Sequence, residues 1–416
     1  MKNINKLHKV ESGFPIIFFL YFINIISFIN IFFNNKLRAG AIASIIIVCM
    51  FLLVLPKISL YRLTLINIVF IFYFFWGIFS IFFYIFNNVD IKFVLSSISY
   101  LIIPMLLFIL SYIYANKDNY VKIIKVILIN NFIVIIVGFI LYAWMPSFFL
   151  NYLNSSFYAL ANYNGNVAIR LHSYLNSMIV GNISLLSVSL LLFMVDIKKI
   201  AKRIFFLLII ILVIAVFFSF ARSAMVGLFL IGVILLFKKR NFITIALFLL
   251  AIIVLYLILI NPALQDNGYV VKINNRINNL GIAVSDRNFQ WQYGLKTFYD
   301  NPLGIGIGLA SHKAILYDNK SDRTAVPDGN YFRILVELGI LGIMFFMIFL
   351  SLILFKASKI STYLFLAVLF FAFQSFGNNF FDLFYSSHLF WILCGLIAKI
   401  SSEFEKSKYY IMKNNE

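Results

Sequence analysis

The chain consists almost entirely of long apolar runs separated by short polar breaks. Such runs match the roughly 20 residues a helix needs to cross bilayer hydrocarbon, where only internal backbone hydrogen bonding satisfies N–H and C=O groups. Six spans are predicted at Phe14 to Phe33, Ala39 to Leu55, Leu63 to Phe86, Phe93 to Ala115, Ile123 to Ala143 and Met178 to Val195. Six more follow at Ile204 to Phe220, Ala224 to Phe237, Phe242 to Ile260, Ile334 to Phe355, Tyr363 to Gly377 and Tyr385 to Ile400. The predicted fold class is an all-α polytopic membrane protein with about 12 transmembrane helices. These form one integral membrane domain over residues 1–416. No small-residue cleavage site follows the first run, so a retained helix is expected there in place of a signal peptide.

Composition excludes an ordinary soluble domain. Hydrophobic residues make up 63% of the chain and charged residues 12%, with a mean hydropathy of +0.99, far from the usual mix. The net charge of +19 would suit nucleic acid, but the basic residues are spread over helix ends without an aromatic platform, so no nucleic-acid partner is expected. Their placement reads as topology. With the N-terminus inside, most of them fall in inner segments such as 198–203, 238–240 and 356–359, whereas the short outer links hold only Lys36, Arg38, Lys92, Arg170 and Arg222. By the positive-inside rule both termini are expected in the cytoplasm.

Cys49 and Cys394 lie inside predicted spans, and His8, His172, His312 and His388 are scattered without a second ligand at useful spacing. No metal and no cofactor are expected.

Two outer segments are long enough to carry chemistry, residues 144–177 and the long loop 261–333 between spans nine and ten. The second contains Asn301-Pro302-Leu303-Gly304-Ile305-Gly306-Ile307-Gly308, whose alternating glycines permit tight turns and close backbone approach. It lacks the Gly-Lys-Ser/Thr ending of a P-loop and the strand-to-helix setting of a dinucleotide fingerprint. Arg170 precedes the sixth span and Arg222 sits in the short link Ser219 to Ala224. An arginine at such a boundary is costly if it faces lipid, so it faces protein or water, or snorkels as a topology anchor. Arg276, Arg287 and Arg323 in the long loop are available to join them as an anion-binding cluster, since the guanidinium fork suits phosphate oxygens. Asp328 precedes the tenth span, where capping is its plain reading. Glu337 lies about two turns further in, as a functional carboxylate or the partner of a buried arginine.

Taken together these motifs resemble the O-antigen polymerase and O-antigen ligase superfamily. The resemblance runs from Arg170 to Gly342. It rests on Arg170 followed after ten residues by Gly181, the Ser-Phe-Ala-Arg-Ser-Ala link, Asp286-Arg287-Asn288-Phe289-Gln290-Trp291 ahead of the glycine run, and Asp328 through Gly342. Ligases of this superfamily typically carry a His-Asn pair where this chain has Asp328-Gly329, so the chain is more similar to the polymerases. The resemblance implies a membrane glycosyltransferase of the bacterial inner membrane. It would join undecaprenyl-pyrophosphate-linked oligosaccharide repeat units into O-antigen or capsular polysaccharide at the outer face, without a metal. Arg170, Arg222 and Arg287 would stabilise the pyrophosphate leaving group, with Arg276 and Arg323 as further substrate contacts. Asp328, then Glu337, would act as the carboxylate that takes a proton from the attacking sugar hydroxyl. The implied partners are the lipid-linked oligosaccharide, membrane lipids and a chain-length regulator protein. A ligase of the same superfamily is one alternative. The other is a polysaccharide flippase or transporter, whose expected internal repeats and midplane charges are not found.

Overall fold

The computed structural model describes residues 14–33, 38–83, 91–116, 118–155, 160–163, 166–219, 221–239, 280–311, 329–377, 381 and 383–413. In chain order the helices are α1 (Phe14–Phe32), α2 (Ala39–Val54), α3 (Leu65–Phe79), α4 (Ile91–Ser97), α5 (Leu106–Tyr114), α6 (Tyr120–Trp144) and α7 (Ser147–Ser155). After a hairpin come α8 (Ser177–Asp196), α9 (Lys202–Ser219), α10 (Arg222–Lys239), α11 (Leu280–Asp300), α12 (Asn330–Ile360), α13 (Thr362–Gln374) and α14 (Ser386–Lys413). Among the described residues the chain is an all-α polytopic membrane protein apart from that hairpin, in which β1 (Leu160–Tyr163) pairs antiparallel with β2 (Asn166–Ile169), Leu160 opposite Ile169 and Tyr163 opposite Asn166.

Among the described residues seven helical stretches are long and apolar enough to cross a bilayer: Phe14–Phe32, Ala39–Leu60, Leu65–Phe82, Lys92–Tyr114, Tyr120–Trp144, Ser177–Asp196 and Asn330–Ile360. Shorter apolar helices run over Arg203–Ser219, Arg222–Ile234 and Thr362–Gln374. Every predicted span except 242–260 coincides with a helix, and 242–260 lies outside the described residues. The tenth begins earlier than hydropathy indicates, at Asn330, because its first turns are polar and lean on other protein. The fourth is not one regular helix. Pro104 can donate no backbone hydrogen bond, and the chain passes from α4 through a π turn (Ile98–Ile102) and a 3₁₀ turn (Ile103–Met105) into α5.

Helix α8 forms the middle of the bundle. Nearly all its residues from Ser177 to Met194 are buried, enclosed by α6, α9, α10 and α13. Its N-terminus is capped by Asn176, whose Oδ1 accepts the Ile179 amide at 2.9 Å. Close approach depends on small residues, as expected where neither water nor lipid favours one apolar contact over another. A Cβ at Gly181 would lie 2.6 Å from the Ala221 Cβ and from the Ser219 Oγ. A second core is aromatic: Phe70 of α3 stacks on Phe108 of α5 at 4.2 Å, and Phe349 of α12 and Trp391 of α14 close around it. Large apolar side chains such as Phe72, Phe75, Phe79, Ile204 and Phe206 point outward, a surface suited to lipid.

Polar side chains inside the bundle bond to one another. Asn24 of α1 donates to the Asn130 Oδ1 on α6, the Tyr174 hydroxyl donates to the Asn24 Oδ1 at 3.2 Å, and Asn131 donates to the Ser187 Oγ at 2.9 Å. The Tyr385 hydroxyl donates to the Asn131 Oδ1 at 3.2 Å. This network ties α1, α6, α8 and the start of α14 together.

Candidate active site

Helix α12 is broken near its start. Gly339 has φ 65° and ψ −163°, so the backbone turns out of the helix there and the regular bonding of the neighbouring turn is lost. The Ile340 amide, which would otherwise bond to Val336, donates to the Pro302 carbonyl at 3.0 Å. Three carbonyls are thereby freed, and each has a replacement donor. The Ile305 amide donates to Val336 O at 3.0 Å and the Gly306 amide to Glu337 O at 2.9 Å. Trp76 of α3 gives its indole Nε1–H to Leu338 O at 2.7 Å. An unmet backbone group in a membrane interior costs several kcal/mol, so irregular backbone persists only where protein supplies the partners.

The glycine run is what fills the break. Gly304, Gly306 and Gly308 all have positive φ, at 96°, 116° and 88°. A Cβ at Gly304 would collide with the Glu337 carbonyl, and one at Gly339 with Pro302 and Leu303. The Ile307 amide reaches the Ser80 Oγ of the 3₁₀ turn after α3 at 3.3 Å. The close backbone approach expected of this run is thus made to another part of the chain. With the amides of residues 305, 306, 307 and 310 bonded to α12 and to the turn after α3, the run is a structural insert and not a phosphate cradle.

Glu337 fastens the same junction. Its Oε1 accepts the Ala310 amide at 3.1 Å, and its Oε2 lies 3.6 Å from the Arg333 Nε, one turn earlier on α12. Both side chains of this pair are only 2% exposed. Tyr73 of α3 is within electrostatic reach of both. Arg333 did not figure among the sequence candidates, although its spacing of four residues from a carboxylate on a helix is the signal that finds such pairs.

The other predicted residues fall as follows. Arg170 is half-buried just before α8, and the next amide, Leu171, donates to Phe218 O at 2.8 Å. That bond holds the Arg170 segment against the end of α9, at the residue just before the link Ser219 to Ala224 that carries Arg222. Arg222 itself is the exposed first residue of α10. Arg287 lies in α11; Arg276, Arg323 and Asp328 lie outside the described residues. The flank of the Asp328 position is defined, however. Gly329 has φ 111°, and a Cβ there would lie 3.2 Å from the Trp291 Nε1 of α11. Trp291 stacks on Phe332 of α12 at 4.8 Å, so α11 is fixed beside the start of α12. Asn330 anchors that start to the end of α13: its amide donates to Ser375 O at 2.8 Å and its side chain to the Ser375 Oγ at 3.2 Å.

Both long segments contain regular structure that hydropathy does not register. Residues 144–177 contain α7 and the hairpin, and 261–333 contain α11. Among the described residues no group of three or more His, Cys, Asp or Glu side chains could hold a metal ion.

No curated protein matches the chain. Residues 205–347 match the family model described as O-antigen ligase, a stretch that holds Arg222, Arg276, Arg287, Arg323, Asp328, the Arg333–Glu337 pair and the glycine insert and ends inside α12. Arg170 and Gly181 lie before it. With its apolar helices the chain is a multi-pass membrane protein, and the part of it in residues 205–347 is similar to the O-antigen ligase family, in line with the superfamily that its motifs resemble.

Proposed function

We propose that this protein is a polysaccharide polymerase of the bacterial inner membrane. Its reaction would transfer a glycan from an undecaprenyl pyrophosphate carrier to the sugar hydroxyl of a second lipid-linked repeat unit, on the outer face. The observation that supports the reading is the junction around α12, where Trp291 of α11, the helix whose sequence includes Arg287, packs against Phe332 and Gly329, the residue that follows Asp328 in the chain. A carboxylate that takes a hydroxyl proton and a guanidinium that stabilises a departing pyrophosphate are the two groups this transfer needs. Arg170 and Arg222 are brought to neighbouring segments by the Leu171 to Phe218 bond and would serve the same leaving group, with Arg276 and Arg323 as further contacts. Glu337, buried against Arg333 and the Ala310 amide, is better suited to positioning the site than to proton transfer. No step in this scheme calls for a metal.

Ligation to a lipid A core is the second reading, favoured by the name of the matching family model. Asp328-Gly329 in place of a His-Asn pair weighs against it. Glycan gels from a deletion strain complemented with wild type, Arg170→Ala, Arg222→Ala, Arg287→Ala or Asp328→Ala separate the two. A polymerase deletion leaves single repeat units attached to the lipid A core, and the variants fail to restore the ladder at equal membrane expression. A fall of about 10²–10³ in rate per lost leaving-group contact is expected. Loss of even the single capped unit would point to a ligase or flippase.

A further inference from the structure

Helix α11 is too polar to cross a bilayer, since Asp286, Arg287, Lys296 and Asp300 lie along it, yet it displays large rings. Its residues from 288 onward divide into two arcs. Trp291, Gly294 and Phe298 recur on the covered side, which packs on α12. Phe289, Tyr293, Lys296 and Tyr299 lie on the open side, with Phe289 72% and Tyr299 74% exposed. The open side is continuous with an apolar strip on the bundle. Leu303, three residues past the helix end, is 52% exposed, and its backbone lies against Gly339. The next residue along α12, Ile340, is 50% exposed and begins the outward row Ile340, Met344, Met347 and Ile348.

We infer that α11 is an interfacial helix whose open side is seated in the lipid headgroup layer. The row on α12 faces hydrocarbon, Leu303 extends it to the membrane edge, and the rings of α11 take over where the hydrocarbon ends. Tyrosine and phenylalanine interleaved with a lysine suit that layer, because rings partition into it while the ammonium meets lipid phosphates. Position 287 stands in helical register with Trp291, Gly294 and Phe298, on the side away from the lipid. Resting on the proposed function, this seat sets Arg287 at the height of the headgroup phosphates, where the pyrophosphate of a lipid carrier would also stand.

The test is depth measurement on the full chain in phosphatidylethanolamine and phosphatidylglycerol nanodiscs. Nitroxide labels are placed at Phe289→Cys and Tyr299→Cys in a Cys49→Ala background, Cys394 being buried. Ile348→Cys serves as the hydrocarbon reference and the exposed Asp118→Cys as the aqueous one. Accessibility to a water-soluble nickel chelate is expected to be several-fold lower at both test sites than at 118, with oxygen accessibility between the two references. Values equal to those at 118 would overturn the inference. So would protection that appears only when polysaccharide is added, which would assign the face to product glycan. The readout requires no activity, so it stands or falls separately from the glycan gels.

Discussion

The amide of Gly306 donates to the carbonyl oxygen of Glu337 at 2.9 Å, although 31 positions and a loop separate them in the chain. Through that bond and its neighbours a glycine run becomes part of a helix it does not belong to. The arrangement makes the junction sensitive to changes as small as one methyl group.

Gly339→Ala combines a positive-φ extended backbone that is essentially confined to glycine, costing about 1–3 kcal/mol, with overpacking against the Pro302–Leu303 backbone, costing about 1–3 kcal/mol more. A large fall in the melting temperature of the purified protein in detergent is expected, and Gly304→Ala should behave alike. Gly77→Ala is the control. Its Cβ would meet nothing closer than Ile307 Cδ1 at 3.9 Å in a regular helix, so stability should hold or rise by up to about 1 kcal/mol. Equal melting of the Gly339 and Gly77 variants would show that the break is not rigid.

Removing one member of the Arg333–Glu337 pair breaks a buried ion pair, at about 3–5 kcal/mol. Arg333→Ala and Glu337→Ala are each expected to destabilise the protein strongly. The double variant Arg333→Met with Glu337→Leu should lose much less than the sum. If instead that double variant folded well and made a full glycan ladder, the pair would be neither catalytic nor positioning. A fully folded Glu337→Gln protein without any ladder would move Glu337 from a positioning to a catalytic role.

Gly181 sets the distance between α8 and the link that carries Arg222. Gly181→Ala should push the two apart and destabilise by about 1–3 kcal/mol. Because the link would shift with it, activity should fall further than stability alone explains. Crosslinking between cysteines introduced at positions 178 and 223 would report the change, as a yield below that of the same pair in an otherwise wild-type chain.

Hydropathy located the bundle well because the membrane requires the same thing of every span: a run of apolar residues long enough to cover its own backbone. It said little of α11, whose mixture of Arg287, Gln290, Trp291 and Tyr293 has no apolar run to mark it, though its two-sided helical spacing is present in the sequence. The hairpin was signalled only by Asn164-Gly165, a pair favoured between two short strands. Glu337 was legible as unusual by its depth, and pairing with an arginine was one of two readings. The identity of that arginine required the helix to begin at Asn330, four residues before the apolar run starts. The glycine run could be seen as a place of close backbone approach, but its partner lay in a break that a single glycine, Gly339, creates inside an otherwise ordinary span. Such a break is invisible to any average over twenty residues.

The break in α12 also bears on how the chain is assembled in the cell. A segment released into lipid with the Val336, Glu337 and Leu338 carbonyls open would be costly to insert alone. Their partners, however, all come from earlier in the chain: Trp76 from α3, then Ile305 and Gly306 from the loop just ahead. Synthesis therefore delivers α3 and residues 301–311 before α12, so the donors of the broken turn exist before the carbonyls that need them.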